Sequence, residues 1–314
     1  MKEWEVLREG LDIVFRDNRI TTKQFMSLYT IVYNYCTTGK ALPALQNSED
    51  KQIIRCATFS DKMGFELYNK LRDYIVNVTM SIYEKGAKLR SEDLLKYFNT
   101  EYEDFRLSAS ITSRIFTCLG RYWNTSTSKI YTLCMVLFQQ NVFQPLETKI
   151  IDTVLDLIRE ERKGNPANTL LFSGFIDYLF EISHEMEKKD EKDVNPMESD
   201  RAKFQKKFIK DTSDFYTQEI EQFLFPRGSV TDYILKVEKI FEEENRRLNL
   251  YLKNCMREPL IKCCGKVLIS DHIEFLVYNF EQMLSDERDG DLMRMCRICS
   301  RVPDGLNRSY YEDA

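Results

Sequence analysis

Histidine is almost missing from this chain, with two in 314 residues, and glycine and proline are scarce at eleven and seven. The first shortage removes the commonest general base and metal ligand. His184 opens a charged stretch and His272 follows Asp271 at a helix start, where surface or capping roles account for them. Nowhere does the chain carry GxxxxGK[ST], GxGxxG, HExxH or GxSxG. Carboxylate pairs such as Glu101 and Asp104 sit at spacings that any solvated helix face produces. No cofactor, metal site or catalytic residue is therefore expected, and an interaction role outranks an enzyme.

Long apolar runs are absent too, since none approaches the roughly 18 residues of a membrane span. The opening MKEWEVLREG lacks the apolar centre of a signal peptide, which sets the expectation of a soluble protein of the cytoplasm and nucleus. A net charge of −5 and the lack of a basic stripe interleaved with aromatics argue against nucleic-acid and membrane partners. Nine cysteines fall mostly on apolar helical faces, as at Cys36, Cys118 and Cys134, and read as reduced core thiols. Cys296 and Cys299 make half a zinc spacing with no second half, and Cys255, Cys263 and Cys264 read equally as helical residues.

What is present is helical periodicity. Strand alternation and Asn-Gly or Asp-Gly hairpin turns between apolar runs are lacking, while apolar residues recur at three and four in segment after segment. Residues 3–16 place Trp4, Leu7, Leu11, Val14 and Phe15 on one face, and Thr21 or Thr22 can cap a second helix. Residues 37–62 read as a loop. Leu67 to Ile82 then mark a third helix that Gly86 stops. Ser91 is expected to cap a fourth through Phe105, and residues 107–122 form a fifth. Ile130–Phe143, Thr148–Lys163, Leu170–Ser183, Lys203–Phe225 and Val230–Met256 follow, with three shorter helices between Leu260 and Val302. The dense mixed charge of His184–Asp200 reads as a solvated linker or a fraying helix end. The fold class is all-α, an elongated helical-repeat stalk in which each unit needs a stacked neighbour to complete its core.

One stretch asks for more than a neighbour. Turning Thr22–Cys36 at about 100° per residue puts Phe25, Met26, Tyr29 and Tyr33 on one arc, edged by Thr22 and Thr30. Leu28, Ile31, Val32 and Tyr35 fall on the other. Two apolar arcs mean either burial on both sides within the fold or one side left for another protein. The arc of Phe25, Met26, Tyr29 and Tyr33 is the better partner face, because it combines aromatics and a methionine and lacks the branched aliphatics of tight internal packing.

Several stretches resemble the cullin family, in the class that scaffolds SCF-type ubiquitin ligases. They are LYTIVYNYC (Leu28–Cys36), FELYNKLRDYI (Phe65–Ile75), LLKYFNTEYEDFR (Leu94–Arg106), LGRYW (Leu119–Trp123), IIDTVLDLIREERKGNPANTLLFSG (Ile150–Gly174), DTSDFYTQE (Asp211–Glu219), EEENRRLNLYL (Glu242–Leu252) and SRVPDGL (Ser300–Leu306). The resemblance implies three five-helix cullin repeats, over residues 1–125, 126–228 and 229–314, the last incomplete. It implies that the second and fifth helices of the first repeat bind a Skp-type, BTB/POZ-fold adaptor that brings an F-box substrate receptor. By position the adaptor role passes to Phe25, Met26, Tyr29, Thr30 and Tyr33 on the second helix, and to Ile115, Cys118, Arg121 and Tyr122 on the fifth. Cys118 departs from the family, whose close members carry a larger aromatic there.

The family's C-terminal half, which holds the RING subunit and the lysine modified by a ubiquitin-like protein, has no counterpart in this sequence. That makes the chain either the N-terminal part of a longer cullin or a naturally short cullin-like protein. A helical vesicle-tethering protein is the alternative of a different class, though tethers usually add basic membrane-facing patches. The repeat-stalk reading predicts circular dichroism dominated by helix and a small-angle X-ray scattering envelope much longer than wide. A compact particle with appreciable sheet would reject it.

Overall fold

The computed structural model describes residues 2–37, 59–122, 128–187, 199–224 and 229–301. Among them are thirteen α-helices and no strand. They are α1 (Lys2–Asp17), α2 (Thr22–Thr37), α3 (Phe59–Gly86), α4 (Ser91–Ile115), α5 (Thr117–Tyr122), α6 (Ser128–Phe138), α7 (Gln144–Arg162), α8 (Thr169–Glu187), α9 (Asp200–Leu224), α10 (Val230–Leu250), α11 (Arg257–Leu268), α12 (Ile273–Ser285) and α13 (Asp289–Cys299). The expected boundaries at 125 and 228, most of the expected loop 37–62, most of the charged stretch 184–200 and the terminal residues from 302 lie outside the described residues.

Local chemistry sets several of the ends. Thr21 and Gln24 form a capping box at the start of α2: the Gln24 N–H donates to Thr21 Oγ1 at 3.3 Å, and the Thr21 N–H donates to Gln24 Oε1 at 3.0 Å. Gly164, at φ +85°, closes α7. Its N–H reaches the Glu161 carbonyl and that of Asn165 the Glu160 carbonyl, each at 3.0 Å, a Schellman arrangement only a left-handed residue allows. Ser91, the expected cap of α4, is instead its first helical residue, and no side chain caps that end.

Two expected helix breaks do not occur. The fourth helix does not stop at Arg106 but runs unbroken to Ile115, because nothing from Arg106 to Ser113 lacks an N–H or demands another φ. The chain turns at Phe116, where the Thr117 hydroxyl donates to the Ser113 and Arg114 carbonyls and competes with the helical ladder. Pro145 likewise does not separate two helices. A π-helical turn over Gln139–Phe143 joins α6 to α7, with the Gln144 N–H donating to the Gln139 carbonyl. The wider turn leaves room for a proline ring in the first turn of α7. In the third group, α10 ends at Leu250, short of Met256, and a 3₁₀ turn at Asn254–Met256 leads into α11.

By internal contacts the chain forms two compact units. Met1–Thr153 with Phe180–Val194 make one, and Val154–Leu179 with Asn195–Ala314 make the other. In the first, α2 packs on α1, α3, α4 and α5. Its aromatic centre is Phe138 of α6, with the rings of Phe98, Tyr102 and Phe105 from α4 at 5.8, 5.7 and 4.9 Å. The spacing of those three residues is the helical spacing that brings one face of α4 to bear on a single ring.

In the second unit, α9 packs against α11, and α10 against α11 and α13. Here the core contains charge. Arg162 of α7 donates from Nε to Glu244 Oε1 at 2.9 Å and from Nη2 to Thr212 Oγ1 at 2.9 Å. The guanidinium lies 5.3 to 5.6 Å from the ring centres of Phe208, Phe215 and Tyr216. Glu244 also accepts from Arg247 Nη1 at 3.1 Å and from the Tyr216 hydroxyl at 2.5 Å. Arg247 in turn pairs with Glu161, and Arg159 with Asp211. Burial alone would push the Glu244 carboxyl up. The charge and hydrogen bonds of Arg162, then Arg247 and the Tyr216 hydroxyl, outweigh it and hold the carboxyl below its ordinary value. Asp211 goes the other way, because burial outweighs the pull of Arg159 and Arg162.

A carboxyl held low contributes stability that is present above its unfolded value, about 4.3, and is lost as pH falls through the folded one. Asp211, held high, contributes with the opposite sign. Glu244→Gln strands two buried guanidinium groups without their shared charge. It is expected to lower stability at pH 7 by about 3–5 kcal/mol. The gap from the unmodified chain should narrow as pH falls below about 4.3, where the unfolded chain takes up the proton that the folded carboxyl still resists. Denaturant unfolding of both proteins at pH 7 and at acidic pH checks this, and an equal gap at both would contradict it.

Candidate functional site

The face to examine is the outer arc of α2. Leu28, Val32 and Cys36 are buried and Ile31 and Tyr35 half-buried, so the aliphatic arc is the one turned into the unit. Two observations fix how α2 is seated. Gly10 of α1 lies so close that a Cβ there would stand 2.5 Å from Leu28 Cδ2. On another side, burial pushes the Cys36 thiol up to about 12, with the Cys118 thiol of α5 adding to the shift. The Tyr35 hydroxyl meets Glu66 of α3 at 3.5 Å, and burial, then the Glu66 charge, push it up to about 12.

With that arc inside, the other is presented outward. Met26 is 52% exposed and Tyr33 46%, Thr30 is exposed, and Phe25 and Tyr29 are half-buried. The rings of Phe25, Tyr29 and Tyr33 climb the helix as a ladder, with centres 6.4 and 6.5 Å apart and planes inclined by only 14° and 19°. The Thr30 hydroxyl donates to the Met26 carbonyl at 2.7 Å, and that of Thr37 to the Tyr33 carbonyl at 2.8 Å. Both threonines thereby spend their polar group on the helix. Lys23, exposed in the first turn, is the one charged residue of α2, and none stands between Phe25 and Thr37. An uncharged aromatic ridge of this kind has the composition of an interface centre.

The α5 residues fall elsewhere. Ile115 and Cys118 are 0% and 2% exposed, so neither is on a surface. The turn at Phe116 is the cause: Ile115, Phe116, Cys118 and Leu119 all enter the core, and Leu119 closes on Gly64 of α3. The resemblance assigned Ile115 and Cys118 to the adaptor face by position, whereas both side chains are buried within the unit. The backbone of Arg121 and Tyr122 completes α5, and their side chains lie outside the described residues. The structure therefore brings Phe25, Met26, Tyr29, Thr30 and Tyr33 together on one face, with Ile115 and Cys118 inside the unit.

The buried charge cluster of the second unit was not singled out in the sequence, yet a signal is there. Val237, Ile240, Phe241, Glu244 and Leu248 share one helical face, and a glutamate on such a face needs a buried partner. Among the described residues no group of three His, Cys, Asp or Glu side chains is placed to hold a metal ion, and no helix is long and apolar enough to cross a membrane.

Residues 4–309 match the Cullin alpha solenoid domain. The chain is 38% identical to Cullin-1 of Caenorhabditis elegans over 97% of its own length and 41% of that protein's. It is 30% identical to Cullin-1 of Dictyostelium discoideum, over 96% and 40%, and 28% identical to Cell division control protein 53 of Saccharomyces cerevisiae, over 86% and 32%. It thus spans less than half of these relatives' lengths. A match that runs through all thirteen helices, at this level of identity, means that the chain belongs to the cullin family.

Proposed function

We propose that this chain is the N-terminal, non-catalytic part of the scaffold of an SCF-type cullin-RING ubiquitin ligase. Its task is to hold a Skp-type BTB/POZ-fold adaptor and, through it, an F-box substrate receptor. The observation that carries the reading is the uncharged ladder of Phe25, Tyr29 and Tyr33, left outward while the opposite arc of α2 is buried. Met26 and Thr30 extend that face, and Arg121 and Tyr122 of α5 would complete it. Ile115 and Cys118 support it from beneath, by setting how closely α5 lies against α2. Family membership favours this reading over a vesicle tether. Division into three repeats over 1–125, 126–228 and 229–314 belongs to the same proposal, as does recruitment of the RING subunit through the C-terminal half of longer cullins.

Truncating aromatic anchors at the centre of an interface commonly costs at least about 2 kcal/mol, near 30-fold in affinity. Tyr29→Ala combined with Tyr33→Ala is expected to weaken binding of a purified Skp-type adaptor with its F-box protein by at least about that factor, measured by calorimetric titration. Melting should fall by less than it does for a core truncation, since Tyr33 is 46% exposed and Tyr29 only half-buried. Val32→Ala, fully buried on the other arc, should instead lower stability by about 1–4 kcal/mol and leave affinity per folded molecule intact. Equal losses in melting with unchanged affinity in the double variant would refute the docking face.

A further inference from the structure

Away from α2, the second unit carries several exposed lysines that form no ion pair among the described residues. Lys206, Lys207 and Lys210 are exposed on the outer side of the first turns of α9, and Lys262 and Lys266 are exposed on α11. The two helices pack together, and Cys263 Sγ stands 3.5 Å from the Ile209 carbonyl, so Lys262 and Lys210 flank the same point of contact. None of the five forms an ion pair among the described residues, whereas Lys203 on α9 pairs with Asp200 at 3.2 Å and Lys236 on α10 with Glu219 at 3.0 Å. Asp214, one turn beyond Lys210, and Glu258, at the start of α11, are exposed without engaging them. In a chain with a net charge of −5 this is a local surplus of positive charge on adjoining helices.

We propose that the α9–α11 lysine strip is a docking surface for a flexible, carboxylate-rich segment of a partner protein. Its chemistry separates that occupant from other polyanions. The aromatic residues of the basic part of α9, Phe204 and Phe208, are buried, so no ring is offered for stacking on a nucleobase. No large apolar side chain is exposed between Lys203 and Lys210 to enter a lipid surface. The cations are lysines, mobile point charges that can follow carboxylates scattered along a flexible segment without the fixed fork by which arginine holds a single carboxylate or phosphate. The overall negative charge of the chain also opposes long polyanions at a distance, while a short acidic segment meets only the local field.

The test is fluorescence anisotropy with a labelled oligoglutamate peptide at low salt, using the whole chain. Replacing Lys206, Lys207, Lys210, Lys262 and Lys266 together by Glu should weaken binding at least about tenfold and flatten its salt dependence. A control with the same charge change at the exposed Lys2, Lys23, Lys85, Lys88 and Lys96 of the first unit should retain most of the affinity. Circular dichroism melts accompany each variant, and a set of Lys→Gln changes replaces any that fails to fold. Equal weakening in the control would reduce the effect to net charge and overturn the proposal. So would failure of the unmodified chain to bind the peptide, or tighter binding of oligothymidine or phosphatidylserine vesicles than of oligoglutamate.

Discussion

Rotation of α2 about its own axis is the constraint on which the rest of the candidate site depends. Leu28, Val32 and Cys36 are locked between α1, α3, α4 and α5, and the close approach of Gly10 to Leu28 leaves no room for α2 to roll toward α1. Once those residues are inside, helical geometry alone carries Met26, Thr30 and Tyr33 to the other side. The outward face is therefore a by-product of ordinary core packing, with no strained backbone in it. The positive-φ residues other than glycine, Asn18, Ser91 and Glu287, all lie outside α2. A surface fixed in this way is pre-organised, so a partner meets rings already stacked and loses little side-chain freedom by engaging them.

The second unit reaches its order by a different route. Its centre joins α7, α9 and α10 through Arg162, Thr212, Tyr216, Glu244 and Arg247, so that one carboxylate answers two guanidinium groups. Such a cluster is weak evidence for stability, since well-packed hydrophobic residues often do as well, but it permits very few alternative alignments. Three helices that could slide along one another by a turn with little loss of apolar contact cannot do so without leaving a buried charge unanswered. Arg162 Nη1 and Asp211 Oδ2, 4.0 Å apart and both without a hydrogen bond, are the imperfect corner of that arrangement.

Much of this was legible in the sequence because the evidence is repeated along it. Apolar periodicity located every long helix, and the two arcs of α2 could be separated by arithmetic on residue numbers. Helix junctions were harder. Pro145 is a strong breaker in isolation, yet a π-helical turn of local origin absorbs it, and the turn at Phe116 rests on a threonine hydroxyl that any helix can also tolerate. The turn at Phe116 sets Ile115 and Cys118 inside the unit, although the resemblance assigned both to the adaptor face by position. Where a helix breaks decides which way everything beyond it points, and a six-residue helix is too short for periodicity to reveal the change. Glu244 was hidden for another reason: in a run of glutamates, composition suggests solvent, and only its register with Val237, Phe241 and Leu248 marks it as internal.

Cys118 is where family resemblance and packing meet. Close relatives are expected to carry a larger aromatic at this position, but here the side chain is 2% exposed and shares its surroundings with the Cys36 thiol. An aromatic ring needs far more volume than a thiol, and a close-packed interior does not supply it without movement. Either α5 stands farther from α2 in those relatives, or their aromatic turns outward and joins the docking face itself. In this chain the position holds a small, buried thiol, and among the described residues the aromatic rings of the face are those of Phe25, Tyr29 and Tyr33. If the proposed docking holds, a face without a ring at position 118 rests more of its contact energy on the α2 ladder, so replacing Cys118 by a larger aromatic should lessen the loss that Tyr29→Ala causes.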